Sequence, residues 1–185
     1  MKATGSSTER TIWNYFCCKG FSPGGVAGLM GNLYAESGLN PINLQNTYEK
    51  RLGLTDAEYT AAVDSGSYSN FVRDSAGYGL AQWTYWSRKE AMLNYARKTG
   101  ASIGDLKMQL DFMFQELKGH VAVFQVLRTA RTVKELAPIL SPACITTLLK
   151  IIMGKISDGC GGAWREMKQA LEDVLAMTNK ESETQ

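Results

Sequence analysis

Two stops in the chain bracket one helix and dictate where it begins and ends. Ser22-Pro23 supplies an N-cap hydroxyl followed by proline at the first helical position. Ser37-Gly38 closes the far end, because glycine readily takes the left-handed conformation just past a helix. Leu39 can cover that end, and Asn40-Pro41 blocks continuation. Between the stops Val26, Leu29, Met30 and Leu33 recur three and four residues apart, which predicts an apolar stripe turned to a core.

The same punctuation divides the rest of the chain. A first helix is predicted over Thr8 to Lys19, with Ile12, Trp13 and Phe16 on one face and Gly20 as its stop. Residues 40 to 54 read as an irregular loop. Thr55-Asp56-Ala57-Glu58 is a capping-box pattern that opens a short helix, broken at Ser65-Gly66-Ser67, and a second short helix is expected over Tyr68 to Asp74. Ser75 to Thr84 is rich in glycine and aromatic residues and reads as a loop or small hairpin. Helices follow from Ser87 to Lys98, from near Ser102 to Gly119, over 120 to 130, over 132 to about 153 with a proline break, and over 163 to 178. Gly159-Cys160-Gly161-Gly162 is a turn, and residues 179–185 form a polar tail. The expectation is a single, mainly α domain over 8–178, with one or two long loops on one side.

Composition narrows the function. The chain has 185 residues, 44% hydrophobic and 21% charged, so it can bury a core without staples. Lys plus Arg number 20 and Asp plus Glu 18, a balance that argues against nucleic-acid binding, which needs clustered positive charge. A helix-turn-helix DNA reader built on Ser22 to Tyr34 is disfavoured on the same ground. The polar start Met1 to Ser7 carries no signal-peptide pattern. The most apolar stretch, Leu136 to Met153, is interrupted by Pro138, Pro142 and Lys150, so no stable membrane insertion is expected. Cys17, Cys18, Cys144 and Cys160 fit no zinc spacing and read as free or buried thiols. With His120 as the one histidine, neither a metal site nor a Ser-His-Asp site is expected, and no cofactor is called for. His120 itself reads as a helix-end or exposed residue.

Glu36 is the residue whose position points to chemistry. It lies three residues after Leu33 and seven after Leu29, on the stripe expected to face the core. It also sits in the last turn, where the helix dipole is negative. Both features disfavour the ionised carboxylate, and a carboxylic acid that keeps its proton can give it to a leaving oxygen. The competing reading is a solvated glutamate at a helix end.

The segment Gly28-Leu29-Met30-Gly31-Asn32-Leu33-Tyr34-Ala35-Glu36-Ser37-Gly38-Leu39-Asn40-Pro41 resembles the catalytic helix of the phage tail lysozyme family, itself similar to goose-type lysozymes and soluble lytic transglycosylases. Gly77-Tyr78-Gly79-Leu80-Ala81-Gln82-Trp83-Thr84, followed by Arg88, resembles that family's second motif. The likeness runs from about Ile12 to Leu127. It implies an α+β lysozyme-like fold in which the small loop or hairpin forms one wall of a substrate cleft. It also implies that Glu36 is the catalytic acid and that Ser37 helps orient it. The implied substrate is the glycan strand of bacterial peptidoglycan, cut at its β-1,4 bonds. After residue 131 the chain departs from the family pattern, through Pro138 to Ile145 and an amphipathic Trp164 to Leu175 helix, which leaves the far wall of the cleft open.

Such a cleavage also needs an oxocarbenium-like centre stabilised, by a second carboxylate or by the substrate's own N-acetyl group. Asp74 leads the carboxylate candidates, with Glu49 and Asp64 behind it; a turn or capping role for Asp74 stands beside that reading. Tyr78, Trp83, Tyr85 and Trp86 offer faces for pyranose rings, and Gln82 offers a donor and an acceptor for an N-acetyl amide. For Trp83 and Trp86 a role as core anchor weighs as much. Hydrolysis, formation of 1,6-anhydro ends by a lytic transglycosylase, and a non-catalytic peptidoglycan- or virion-binding module all remain open here. Any of them places the protein in the host cytoplasm until lysis, or on a virion, with its action on the cell wall.

Overall fold

The computed structural model describes residues 7–131. Seven helices and no strand occur among them: α1 (Ser7–Cys18), α2 (Pro23–Ser37), α3 (Asn46–Leu52), α4 (Asp56–Asp64), α5 (Trp86–Thr99), α6 (Leu106–Gly119) and α7 (Val121–Thr129). The mainly helical class expected from the punctuation is what forms. The helices predicted beyond residue 131, the Gly159–Gly162 turn and the tail lie outside the described residues, as do Cys144 and Cys160. The chain divides into two compact units, Glu36–Gly119 and the flanking Met1–Ala35 with His120–Gln185.

In the flanking unit Phe21 stacks on Phe16 at 5.4 Å and meets the edge of Phe124 at 5.4 Å. Ser22 caps α2 as its sequence predicts, its hydroxyl accepting from Gly25 N at 3.0 Å. The same hydroxyl donates to Ala130 O at 2.6 Å, so one side chain secures the start of α2 and the end of α7. A Cβ at Gly25 would stand 1.9 Å from Leu127 O, so only glycine lets these backbones approach. Cys17 is half-buried and Cys18 exposed; both are free thiols, and burial together with the neighbouring Cys18 pushes the Cys17 thiol upward.

The Glu36–Gly119 unit is built around Tyr59, Phe71, Tyr78, Leu80, Trp83, Met92, Ile103 and Leu110, all buried. Its capping box is complete: Thr55 N donates to Glu58 Oε2 at 2.9 Å and Glu58 N donates to Thr55 Oγ1 at 3.3 Å. Helices α5 and α6 pack together, with Tyr95 and Phe112 rings 5.9 Å apart. Two details differ from expectation. The segment read as irregular holds α3, which buries no residue and ends at Gly53 in the left-handed conformation. The short helix expected over Tyr68 to Asp74 is instead a series of turns, with Arg73 N donating to Asn70 O at 2.9 Å. His120 is exposed at the start of α7 and makes no side-chain capping bond.

Candidate functional site

Helix α2 delivers Glu36 in its last turn. The middle of this helix, Gly25 to Gly31, is buried all round rather than along one stripe. The helix then outruns its packing, and Tyr34, Ala35 and Glu36 are exposed. The partial burial expected of Glu36 is therefore absent: stripe arithmetic places a residue on a face, but it does not say how far along the helix the covering layer extends. Ser37 turns back inward. It is buried, and its hydroxyl donates to Leu80 O at 2.9 Å. Ser37, which the resemblance implies helps to orient Glu36 and to bind substrate, thus joins the helix end to the glycine-rich turn. Gly38 and Leu39, with φ of 62° and 64°, complete the reversal.

That turn is a small hairpin, as anticipated. Tyr78 and Trp83 bridge in antiparallel fashion, with Trp83 N donating to Tyr78 O at 2.9 Å. A second bridge pairs Tyr78 with Leu44, and Gly79 N donates to Asn43 O at 2.9 Å. Gly79 has φ of 75°, and a Cβ there would lie 2.8 Å from the Gln109 amide. That amide is buried in α6 and serves as a hub. It accepts from Leu80 N at 2.9 Å and donates to Pro41 O at 2.6 Å and Ile103 O at 2.7 Å.

The aromatic and polar residues assigned to sugar binding separate into two groups. Tyr78 and Trp83 are fully buried, which corrects their assignment as substrate contacts. The Tyr78 hydroxyl pairs with Thr60 Oγ1 at 2.6 Å, and Trp83 Nε1 donates to Glu116 Oε2 at 2.8 Å. Glu116 is also held by Arg88 through two contacts of 2.8 and 2.9 Å. Gln82 is half-buried with φ of 45°, and its amide nitrogen is turned to Asn43, donating to Oδ1 at 2.8 Å. Tyr85 and Trp86, by contrast, are exposed.

Asp74 does not stand free. Its side chain is 3% exposed, and Lys89 Nζ donates to its Oδ1 at 2.5 Å. Ala76 N donates to the same oxygen at 2.9 Å, while Tyr59 and Tyr68 hydroxyls donate to Oδ2 at 2.5 and 3.2 Å. A carboxylate so enclosed has nothing to offer a glycan, so the tentative assignment of Asp74 as second carboxylate is corrected to a structural one. Lys89 is itself fully buried and also donates to Ala76 O at 2.8 Å. Desolvation lowers its pKa, partly offset by Asp74. Sequence reasoning missed Lys89, although a signal existed: Lys89, Met92 and Ala96 are spaced three and four apart and are the buried residues of α5. Of the weaker candidates, Asp64 accepts from Ile103 N at 2.9 Å, and Glu49 is half-buried on α3. No group of three or more His, Cys, Asp or Glu side chains is arranged for a metal among the described residues, and none of their helices is long and apolar enough to cross a membrane.

Among known protein families, the model of the phage tail lysozymes matches residues 7–141. No curated protein and no solved structure matches the chain.

Proposed function

The chain belongs to the phage tail lysozyme family, whose activity is the degradation of peptidoglycan, and from that premise we propose that it cleaves the β-1,4 bond between N-acetylmuramic acid and N-acetylglucosamine with Glu36 as general acid. The observation that carries the assignment is the Ser37–Leu80 hydrogen bond of 2.9 Å. It ties the residue next to Glu36 to the tip of the Gly77–Thr84 turn, so the two segments singled out in the sequence meet in space. On this reading Ser37 is a positioning residue and the turn is a wall of the glycan site. The catalytic module takes in residues 8–178 and acts on the cell wall.

Glu36 gives its proton to the bridging oxygen as the C1–O bond breaks. Water then adds to C1, its proton passes to the Glu36 carboxylate, and a reducing end results. Because Glu36 is exposed in the free protein, the glycan itself must cover it and displace water before the proton moves. The enclosure of Asp74 favours a second reading, which needs no second protein carboxylate. The muramic 6-hydroxyl attacks its own C1, gives its proton to Glu36, and closes a 1,6-anhydro ring.

Glu36→Gln tests the assignment. Clearing of a cell-wall suspension should fall by about 10²- to 10⁴-fold while binding to sacculi persists. Clearing at the parent rate would overturn it. Mass analysis of the released muropeptides separates the two chemistries: reducing ends report hydrolysis, and ends lighter by one water report the anhydro route.

A further inference from the structure

A groove of about 540 Å³ opens at the base of the glycine-rich turn, lined by Arg73, Ser75, Thr84, Tyr85 and Trp86. Two large aromatic side chains face it with 63% and 48% of their surface exposed, Tyr85 and Trp86 respectively. Their rings stand 6.1 Å apart at 43°. Exposing two such side chains side by side forgoes the burial that normally claims them. Arg73 is exposed and its guanidinium makes no hydrogen bond or ion pair among the described residues; the Ser75 hydroxyl and Trp86 Nε1 are equally uncommitted there.

The two segments that line the groove are joined by the buried ion pair. Asp74 lies between Arg73 and Ser75, and Lys89 follows Trp86 by three residues on α5. Lys89 Nζ on Asp74 Oδ1 at 2.5 Å therefore clamps the two walls together. The clamp also accounts for Ser75, which holds φ of 61° without being glycine while Ala76 N is bound to Asp74 Oδ1.

We propose that this groove is a glycan subsite for a muramoyl residue bearing its stem peptide: Tyr85 and Trp86 take the apolar face of the pyranose, and Arg73 takes a carboxylate of the peptide. The inference rests on the peptidoglycan reading and names which part of that substrate this surface selects. Charge complementarity decides the occupant. A neutral chitin-like chain would use the aromatic rings and leave the guanidinium idle, whereas a peptide-bearing muramoyl unit uses both. Asp74 and Lys89 act as positioning residues for it.

Binding measured in a Glu36→Gln background, with the full chain, tests this. Binding to soluble peptide-bearing glycan fragments is compared with binding to chitin oligosaccharides of the same length, which carry no carboxylate. Trp86→Ala and Tyr85→Ala should each weaken binding to both ligands by about tenfold, with Trp86→Phe close to the parent. Arg73→Gln should lower affinity for the peptide-bearing fragments to that for chitin oligosaccharides, abolish the salt dependence of the difference, and leave chitin-oligosaccharide binding unchanged. Unaltered binding in the aromatic variants overturns the subsite, and equal losses on both ligands for Arg73→Gln overturn the carboxylate contact. The two readings fail separately. A chain with Glu36 intact that releases no fragments, yet binds sacculi through Trp86, defeats the enzymatic assignment and leaves the groove standing.

Discussion

Lys89 and Asp74 show how much can turn on a pair of side chains. Each is buried, and each would be an uncompensated charge without the other. Lys89→Met keeps the stem packed against Phe71, over whose ring the ammonium sits at 4.3 Å, but strands Asp74 with two tyrosine hydroxyls and one backbone N–H. The expected loss is about 3–5 kcal/mol in urea unfolding, and Asp74→Asn added to it should recover part of that, because the stranded charge is then gone. Equal losses for the single and double variants would show that the charge pairing is not what counts. Asp74 was read as a catalytic candidate because a sequence displays a carboxylate before a glycine-rich turn and conceals the lysine fifteen residues later. Tyr78 and Trp83 are hard to place from sequence for a related reason. An aromatic residue in a loop looks available, and only the pairing of its polar tip, with Thr60 in one case and Glu116 in the other, reveals that it is packed.

At the scale of elements the sequence is far more legible. Ser22-Pro23, the Thr55–Glu58 box and the glycines at 38 and 100 mark boundaries that the structure reproduces, because capping is local chemistry between residues a few positions apart. α3 escapes detection because it buries nothing, and apolar periodicity cannot announce a helix without an apolar face. The reach of α2 beyond its covering layer is likewise a property of its neighbours, not of its own residues. The glycine pair at the start of α2 belongs to this scale too. Its purpose is invisible without α7: Leu127 O occupies the space of a Gly25 Cβ, and Ser22 binds the same segment. Ala is the better helix former, so propensity alone predicts that Gly25→Ala gains about 1 kcal/mol. The contact predicts the reverse, a loss of about 3 kcal/mol or more, since the 1.9 Å overlap is with backbone and cannot be relieved by a rotamer change. Thermal unfolding decides between the two by the direction in which the midpoint moves.

For the whole molecule, the buried hydroxyls of the Glu36–Gly119 unit set a limit on alkaline pH. Burial, with Asp74 adding its hydrogen bond and charge, raises the Tyr59 pKa far above its ordinary value of 10.0, and burial likewise raises Tyr78. Above about pH 10 the unfolded chain gives up these two protons and the folded one keeps them, so the unfolded state binds fewer protons and stability falls as pH rises. The stabilisation is complete below pH 10 and is lost with a slope of about 1.4 kcal/mol per pH unit for each tyrosine. Lys89 runs the other way. Its folded pKa is lowered from 10.5, so between its folded value and about 10.5 the unfolded state holds the extra proton and stability climbs with pH. The opposing contribution is exhausted near the point where the tyrosines begin to act, so urea midpoints should hold or rise towards pH 10 and then drop steeply. Tyr78→Phe should remove one tyrosine's share of that slope, at a cost at neutral pH of about 1 kcal/mol for the lost bond to Thr60. A slope unchanged in Tyr78→Phe would mean that the unit opens around Tyr78 before the rest of its core gives way.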